Sequence, residues 1–532
     1  MNMNAQIRQN TRPNIGATDL FNYVLQYNPT LFPVTYPARD GYDHILYGTY
    51  ELAGGVYLDN PWAQMTTSLY QSNQNTVNTV MKIDQTLDFI TKGLKFQGWV
   101  NFKSWAQKYY ARSISPYTYM PATTVDYNDW QNPVFDLQRG DIGTNYISES
   151  DLYNVSDNTF EMQANLNYSR RFDLHDVSAM VLYRMREYRN ATILPNRNQG
   201  VSGRVTYDYD HRYLFEFNFG YNGSENFAPG KRYGFFPSYA VGYMISNEKF
   251  WEPLRDKVNI LKIRASYGKI GNDEIGGSRR FAYNTTMNTN AGGFTFGDLG
   301  QTNLPGYSTG EYGNPDVAWE EATKADVGIE LGLFNKIKIQ ADYFYEKREG
   351  IFIQRESTPS VVGTKTAQWV NLGRMKNQGF DMSLEFDHSF NKDFSISARG
   401  NFTYNRNKKL YDDKPDQIWK YQNLAGFANN QQFGLIAEGL FESEEDIANW
   451  PKQDFGTVRP GDIKYRDVNG DGVVNNYDRA AIGNPRTPEI QFGIPLGLSY
   501  KGFDFSMLWQ GSALCSCLLY TSPSPRDRQK SR

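Results

Sequence analysis

"RVTYDYDHRYLFEFNFGYN", residues 204–222, decides the fold. Val205, Tyr207 and Tyr209 alternate with Thr206, Asp208 and Asp210; after a short polar break Tyr213, Phe215, Phe217, Phe219 and Tyr221 alternate with Leu214, Glu216, Asn218, Gly220 and Asn222. Successive side chains of a strand point to opposite faces, so this stretch is two strands, each greasy on one side and polar on the other. The aromatic side faces either a protein core or lipid.

Composition narrows the choice. Aromatic residues make up 15% of the 532, yet charged residues make up 21% and the mean hydropathy is −0.64. A polar average beside abundant Tyr and Phe fits strands that are apolar on one side only. No run of about eighteen apolar residues offers a transmembrane helix. A net charge of −3 gives no nucleic-acid signal. Cys515 and Cys517 stand alone near the end, so neither a disulfide framework nor a zinc site is indicated. The opening "MNMNAQIRQNTRPN" lacks the layout of a signal peptide, which points to a cytoplasmic protein or to a piece of a longer one.

About fourteen alternating segments follow one another, near 76–88, 95–106, 158–170, 177–188, 200–210, 213–223, 235–246, 259–269, 324–333, 336–346, 378–388, 393–405, 489–500 and 502–511. Their connections alternate in length. Short ones fall at 89–94, 171–176, 211–212, 247–258, 334–335, 389–392 and Lys501; longer ones fall at 107–157, 189–199, 224–234, 270–323, 347–377 and 406–488. A soluble propeller or sandwich has no reason to tie loop length to parity. An outer-membrane barrel does, having short periplasmic turns and long extracellular loops. At roughly 3.3 Å per residue and a tilt near 45°, a segment of about 11–13 residues rises some 25–30 Å, the height of a hydrocarbon core. The fold class expected is all-β, a transmembrane antiparallel β-barrel. Phe160, Leu166, Val205, Phe215, Phe217, Val327 and Ile329 are expected to face lipid.

Parity also describes the ends. Residues 1–75 read as an extracellular loop region with at most a partial strand, 76–511 as the barrel, and the chain as incomplete at both ends. Alternation stops after Gly511, and "CSCLLYTSPSPRDRQKSR" carries no strand pattern, so 515–532 reads as a non-native tail.

Several stretches resemble SusC/RagA-type TonB-dependent transporters of Bacteroidota. They are "FAPGKRYGFFPSYAVGYMISNEKFW" (227–251), "LKIRASYGKIGND" (261–273), "VAWEEATKADVGIELGLF" (317–334), "NLGRMKNQGFDMSLEF" (371–386), "GDIKYRDVNGDGVVNNYDRAAIGNP" (461–485) and "QFGIPLGLSYKGFDFSMLWQG" (491–511). The matches keep the family's order over roughly residues 20 to 511. The resemblance implies a 22-stranded barrel plugged by an N-terminal domain. It further implies import of oligosaccharides or peptides with a SusD-like surface lipoprotein, driven by TonB–ExbB–ExbD. No plug, TonB box or final strand is found in the sequence.

"DVNGDGVVNNYD" (467–478) has the spacing of a calcium loop: Asp467, Asn469 and Asp471 supply side-chain oxygens, Val473 a carbonyl, and Asn475 and Asp478 the remaining positions, with Gly472 at the sharp turn. The competing reading is a pair of Asn-Gly and Asp-Gly turns. A structural Ca²⁺ is expected. Loop aromatics Tyr117, Tyr119, Tyr127, Trp130, Trp419 and Trp450 are candidates to stack on substrate, or else pack the loops together. Trp99, Trp105, Trp251 and Trp509 fit interfacial girdles. No nucleophile elbow, His-Glu-x-x-His or phosphate loop is present, so no enzyme is expected. Against import stand two other readings: a surface binding or adhesion protein, and an outer-membrane lipase, which needs a Ser/His pair near His175, His211 or His388.

Overall fold

The structure, a computed structural model, describes all residues except 53–54, 127–133, 151–152, 191–193, 277–278, 365 and 518–532. The long strands are β1 (Asn2–Arg12), β2 (Ser68–Thr86), β3 (Leu94–Ser113), β4 (Tyr153–Phe172), β5 (His175–Asn190), β6 (Asn196–Tyr209), β7 (Tyr213–Ser224) and β8 (Tyr233–Met244). They continue with β9 (Val258–Asn272), β10 (Glu320–Leu333), β11 (Ile337–Gln354), β12 (Trp369–Ser389), β13 (Phe394–Tyr411), β14 (Ile490–Tyr500) and β15 (Phe503–Ala513). Every alternating segment read from the sequence overlaps one of β2–β15. β1 is an addition: residues expected to lie mostly in a loop form an eleven-residue strand running antiparallel to β2, from Asn2 opposite Val80 to Arg12 opposite Tyr70. The strands follow one another across the sheet in chain order.

Two compact units divide the chain. One comprises Met1–Ile83, Gly98–Gln163 and Met185–Arg197; the other comprises Asp84–Gln97, Ala164–Arg184 and the chain from Asn198 onward.

In the second unit the two-faced character of the strands becomes a two-faced sheet. One row of directly opposed residues crosses β6 to β15 as Tyr207, Phe215, Val241, Ala265, Val327, Tyr343, Phe380, Tyr404, Ile490 and Ala513. The adjacent row, on the opposite face, runs Arg264, Gly328, Asp342, Asp381, Thr403, Gln491 and Ser512 across β9 to β15. Phe215 is 43% exposed, Val241 54% and Val327 55%, while Leu166, Val205 and Ile329 are also exposed. Phe217 is half-buried against the rings of Phe219 and Tyr239, and in the first unit Phe160 is half-buried as well. A soluble monomer seldom leaves an apolar face of this breadth uncovered. Hydrocarbon is the medium that suits it.

The short turns are built for hairpins. Asp210 and His211 have φ of 51° and 53°, and Phe334 and Asn335 both have 54°. Two consecutive left-handed residues with the Arg212 N–H on the Tyr209 carbonyl, and the Lys336 N–H on that of Leu333, make type I′ turns. Their twist matches that of the strands they join. The other ends of the strands carry the connections 225–232, 273–319, 355–368 and 412–489 in this unit.

Candidate functional site

The long connections are not slack chain. In the second unit Phe227 and Val317 are both 0% exposed and pack with Ile275 against Ala282, Trp319 and Phe352. Polar side chains lock the same neighbourhood. Asn371 donates from Nδ2 to the carbonyls of Ala318 and Gly350 and accepts the Ala318 N–H at Oδ1. Trp319 Nε1 donates to the Arg232 carbonyl, and the Arg279 guanidinium sits 3.9 Å over the Trp369 ring while paired with Glu311. Thr366 Oγ1 and Gln368 Nε2 donate to the carbonyls of Gly310 and Gly313, so connections 225–232, 273–319 and 355–368 are tied into one polar-and-apolar assembly at a single end of the strands.

Connection 412–489 builds its own small fold. Paired segments Gln432–Gly434 with Ala480–Ile482, Ala437–Leu440 with Ile463–Tyr465, and Lys452–Gln453 with Val473–Val474 frame it. Phe441 and Val474 are buried within it. Lys464 binds Asp446 at 2.6 Å and lies over the Trp450 ring, whose Nε1 donates to the Tyr465 carbonyl. That lysine holds the Asp446 carboxyl below its ordinary value. A cavity of about 560 Å³ opens beside this core, lined by Gln453, Phe455, Thr457, Val458, Ile463 and Tyr465 among others.

Within this loop the calcium-type motif takes a definite form. Asp478 is 0% exposed, and its carboxylate accepts the N–H groups of Val468, Asn469 and Asn475. Asp467 accepts the N–H of Gly470 and of Gly472, whose φ values of 75° and 85° suit glycine. Asn469 and Asp471 accept the N–H two residues ahead, and Asn475 caps Tyr477. Tyr421 packs on the motif, its hydroxyl donating to the Tyr477 carbonyl. Burial, followed by the negative charges of Asp478, Asp467 and Asp471, raises its pKa. The carboxylate at the last position thus turns inward onto backbone. Asp467, Asn469, Asp471 and the Val473 carbonyl remain nearer the surface, fewer than the about six to eight oxygens calcium takes.

The stacking candidates divide. In the first unit Tyr119 is 1% exposed, in a cluster with Tyr36 and Leu46. His44 Nε2 lies 2.7 Å from its hydroxyl, and the His44 ring stacks on Tyr117 at 4.0 Å. Tyr119 therefore has no free face for a sugar or peptide. The alternative reading, loop packing, describes it, and likewise Trp450. Tyr117 is half-buried in the same stack. Trp419 is half-buried and stacks on Tyr421 beside the Asp loop. Tyr127 and Trp130 lie outside the described residues.

At the opposite end of the strands, Asp176, Asp208 and His211 bring ligand-type atoms within 4.8 Å of one another, a grouping the sequence reading missed. Asp208 accepts both the His211 N–H and a ring nitrogen contact at 2.7 Å, which closes the type I′ turn. The available signal was an Asp two residues before the two-residue turn Asp210–His211.

On the polar face, charges meet across strands. Lys262 reaches Glu330 at 3.1 Å, and Arg264 reaches Asp342 at 2.8 Å. Such a face can hold water and polar solutes; the apolar face cannot.

Comparison with known proteins agrees with this layout. The sequence matches the family described as TonB dependent receptor-like, beta-barrel, over residues 8–523. It is 28% identical over 513 residues to the TonB-dependent receptor P3 of Formosa agariphila, covering 89% of this chain and 48% of that protein. It is also 28% identical to the TonB-dependent receptor SusC of Bacteroides thetaiotaomicron, over 61% of this chain and 32% of SusC. Among solved structures, the RagAB peptide importer in its closed-closed state superposes with a TM-score of 0.63 at 19% identity, covering 91% of this chain and 51% of that one. The match spans about half the length of P3 and of the RagAB chain and about a third of SusC.

Proposed function

The chain belongs to the TonB-dependent receptor-like β-barrel family, and on that premise we propose that it supplies the barrel of an outer-membrane importer of oligosaccharides or peptides. The observation that carries this reading is the two-faced sheet, apolar outside and charged within, joined at one end by loops that fold on themselves. Transport through such a barrel needs a lipid-compatible exterior, a hydrated interior and an ordered surface for capture, and each has residues in this chain. A SusD-like lipoprotein is the proposed capture partner and TonB–ExbB–ExbD the proposed energy source. Both proposals lean on the likeness to SusC and to RagAB, which is described as a peptide importer. Trp419 and the cavity around Phe455 and Tyr465 are the proposed contact points for substrate. A calcium ion at Asp467–Asp478 stays a proposal that rests on spacing; the inward turn of Asp478 weighs against it.

The test is deletion of the gene encoding this chain in its own host. Uptake of labelled oligosaccharide and peptide pools is then compared with and without the gene, in tonB⁺ and tonB⁻ backgrounds. Loss of uptake of one pool, reproduced by loss of TonB, is expected. Undiminished uptake of every pool, with surface binding lost instead, would favour an adhesion role.

A further inference from the structure

The apolar face does not end in neutral chain. Toward the long connections, β11, β12 and β13 carry the collar Tyr343, Phe380 and Tyr404, directly opposed. Stepping by two along each strand keeps the same face. Two steps beyond the collar, Lys347, Lys376 and Lys408 stand directly opposite one another on three successive strands. Arg406 lies one step before Lys408, opposite Gln378. The register between the collar and these residues is unbroken, so the cations share the lipid-facing side.

Like charges opposed across strands destabilise a sheet. Lys347 is relieved by Glu349 at 2.8 Å, and Arg406 has Glu489 at 3.5 Å. Among the described residues, no carboxylate partner meets Lys376 or Lys408. A cavity of about 270 Å³ lies at this point, lined by Lys376, Gln378, Arg406, Lys408 and Glu489 together with Asn407, Gln431 and residues 426–428 and 483–485 of the long connection. Three cations against one carboxylate leave the pocket positive. Lys376 and Lys408 lie well along their strands from the short-turn ends Ser389 and Phe394, a rise of about 30 Å at a tilt near 45°, which is the height of a hydrocarbon core.

We propose that Lys376, Arg406 and Lys408 form a site for the phosphate of an outer-leaflet glycolipid, whose acyl chains lie along Phe380 and Tyr404. The ammonium groups and guanidinium offer charge-assisted donors to phosphate oxygens, and the bound anion removes the repulsion along the lysine row. The site serves anchoring in the outer leaflet and is separate from solute passage. It rests on the membrane orientation in the reading above but not on transport.

The experiment uses the full-length protein in lipid nanodiscs containing a phosphorylated glycolipid, or the same lipid after phosphatase treatment, with native mass spectrometry counting retained lipid. Wild type is expected to hold the phosphorylated lipid at least roughly tenfold more tightly, a step that corresponds to about 1.4 kcal/mol. Lys376→Gln combined with Lys408→Gln should abolish that preference, while Lys262→Gln on the opposite face leaves it. Heat-modifiability on gels confirms that the variants are folded. Equal retention of both lipids by wild type overturns the proposal, as does a double variant that keeps the preference. Full competition by millimolar inorganic phosphate, with no preference left between lipids, also overturns it, because the ligand is then a free anion.

Discussion

Arg264 reaches across an entire strand to Asp342, its Nη2 lying 2.8 Å from both carboxylate oxygens. Gly328 is the residue of β10 that stands between them. A Cβ there would lie 1.8 Å from Asp342 Oδ1 and 2.8 Å from Arg264 Nε. The absence of a side chain on the middle strand is what lets the outer two interact.

Gly328→Ala should therefore push the pair apart. The pair is partly hydrated, so the expected loss is modest, about 1–2 kcal/mol rather than the larger cost of orphaning a fully buried charge. Urea unfolding of the folded protein in lipid, followed by tryptophan fluorescence, measures it. A Gly328→Ala protein as stable as wild type, with Asp342→Asn equally silent, would show that the bridge contributes nothing.

The two faces of the sheet should respond oppositely to charge. Val327→Arg or Val241→Arg, mid-strand on the apolar face, should cost about 2–4 kcal/mol in a bilayer. Asn218→Arg on the polar face of β7 should change stability far less. Comparable effects at all three positions would contradict the assignment of lipid to the apolar face.

Acid should loosen one turn first. Glu248 accepts from the Tyr213 and Tyr243 hydroxyls and from Arg212 Nη1. Its pKa is lowered chiefly by the Tyr213 hydrogen bond, with burial opposing and Arg212 assisting. A depressed folded pKa means stability present at neutral pH and lost as pH falls below the ordinary value of 4.5. Hydrogen exchange at 245–257 should accelerate over that range in wild type. In Glu248→Gln it should be fast already at pH 7, and a flat profile in both would rule out the linkage.

The Asp loop distinguishes a metal site from a turn. Asp478→Ala strips three backbone N–H groups of a buried carboxylate acceptor, a local loss on the order of 3 kcal/mol. Protease should then cut 467–478 readily even with a chelator present. Asp471→Ala, at the exposed end, should matter only if calcium binds. Wild-type protection that rises with calcium and is lost in Asp471→Ala would support the ion; protection indifferent to calcium reduces the motif to hydrogen-bonded turns.

The strands were legible because lipid on one face and water on the other impose period two over long stretches. The pattern faded where that constraint ended. β12 begins at Trp369 rather than near 378, and the extension holds a register shift at Ile351 opposite Gly373. β1 carries only a short alternating trace, Met3, Ala5 and Ile7, before it turns wholly polar from Arg8 to Arg12, too little to announce a strand without its partner β2. Loop cores such as Phe227 with Val317 join residues far apart in sequence, and no local pattern marks such a meeting. Spacing identified Asp478 as an oxygen donor but could not say that its carboxylate turns toward backbone amides.

Strands that pair in chain order have a thermodynamic corollary. Closing a flexible connection costs free energy only as the logarithm of its length, so one twenty-five times longer than a three-residue turn costs about 3 kcal/mol more. Connection 412–489, with Phe441 and Val474 each buried within it and three short strand pairs of its own, has means to recover that sum locally. Insertions, deletions and wholesale replacement at this end of the strands are thus cheap, while a single-residue slip within a strand inverts every side chain beyond it. Diversification of what is recognised can proceed by exchanging self-supporting cassettes on a frame that tolerates almost no change.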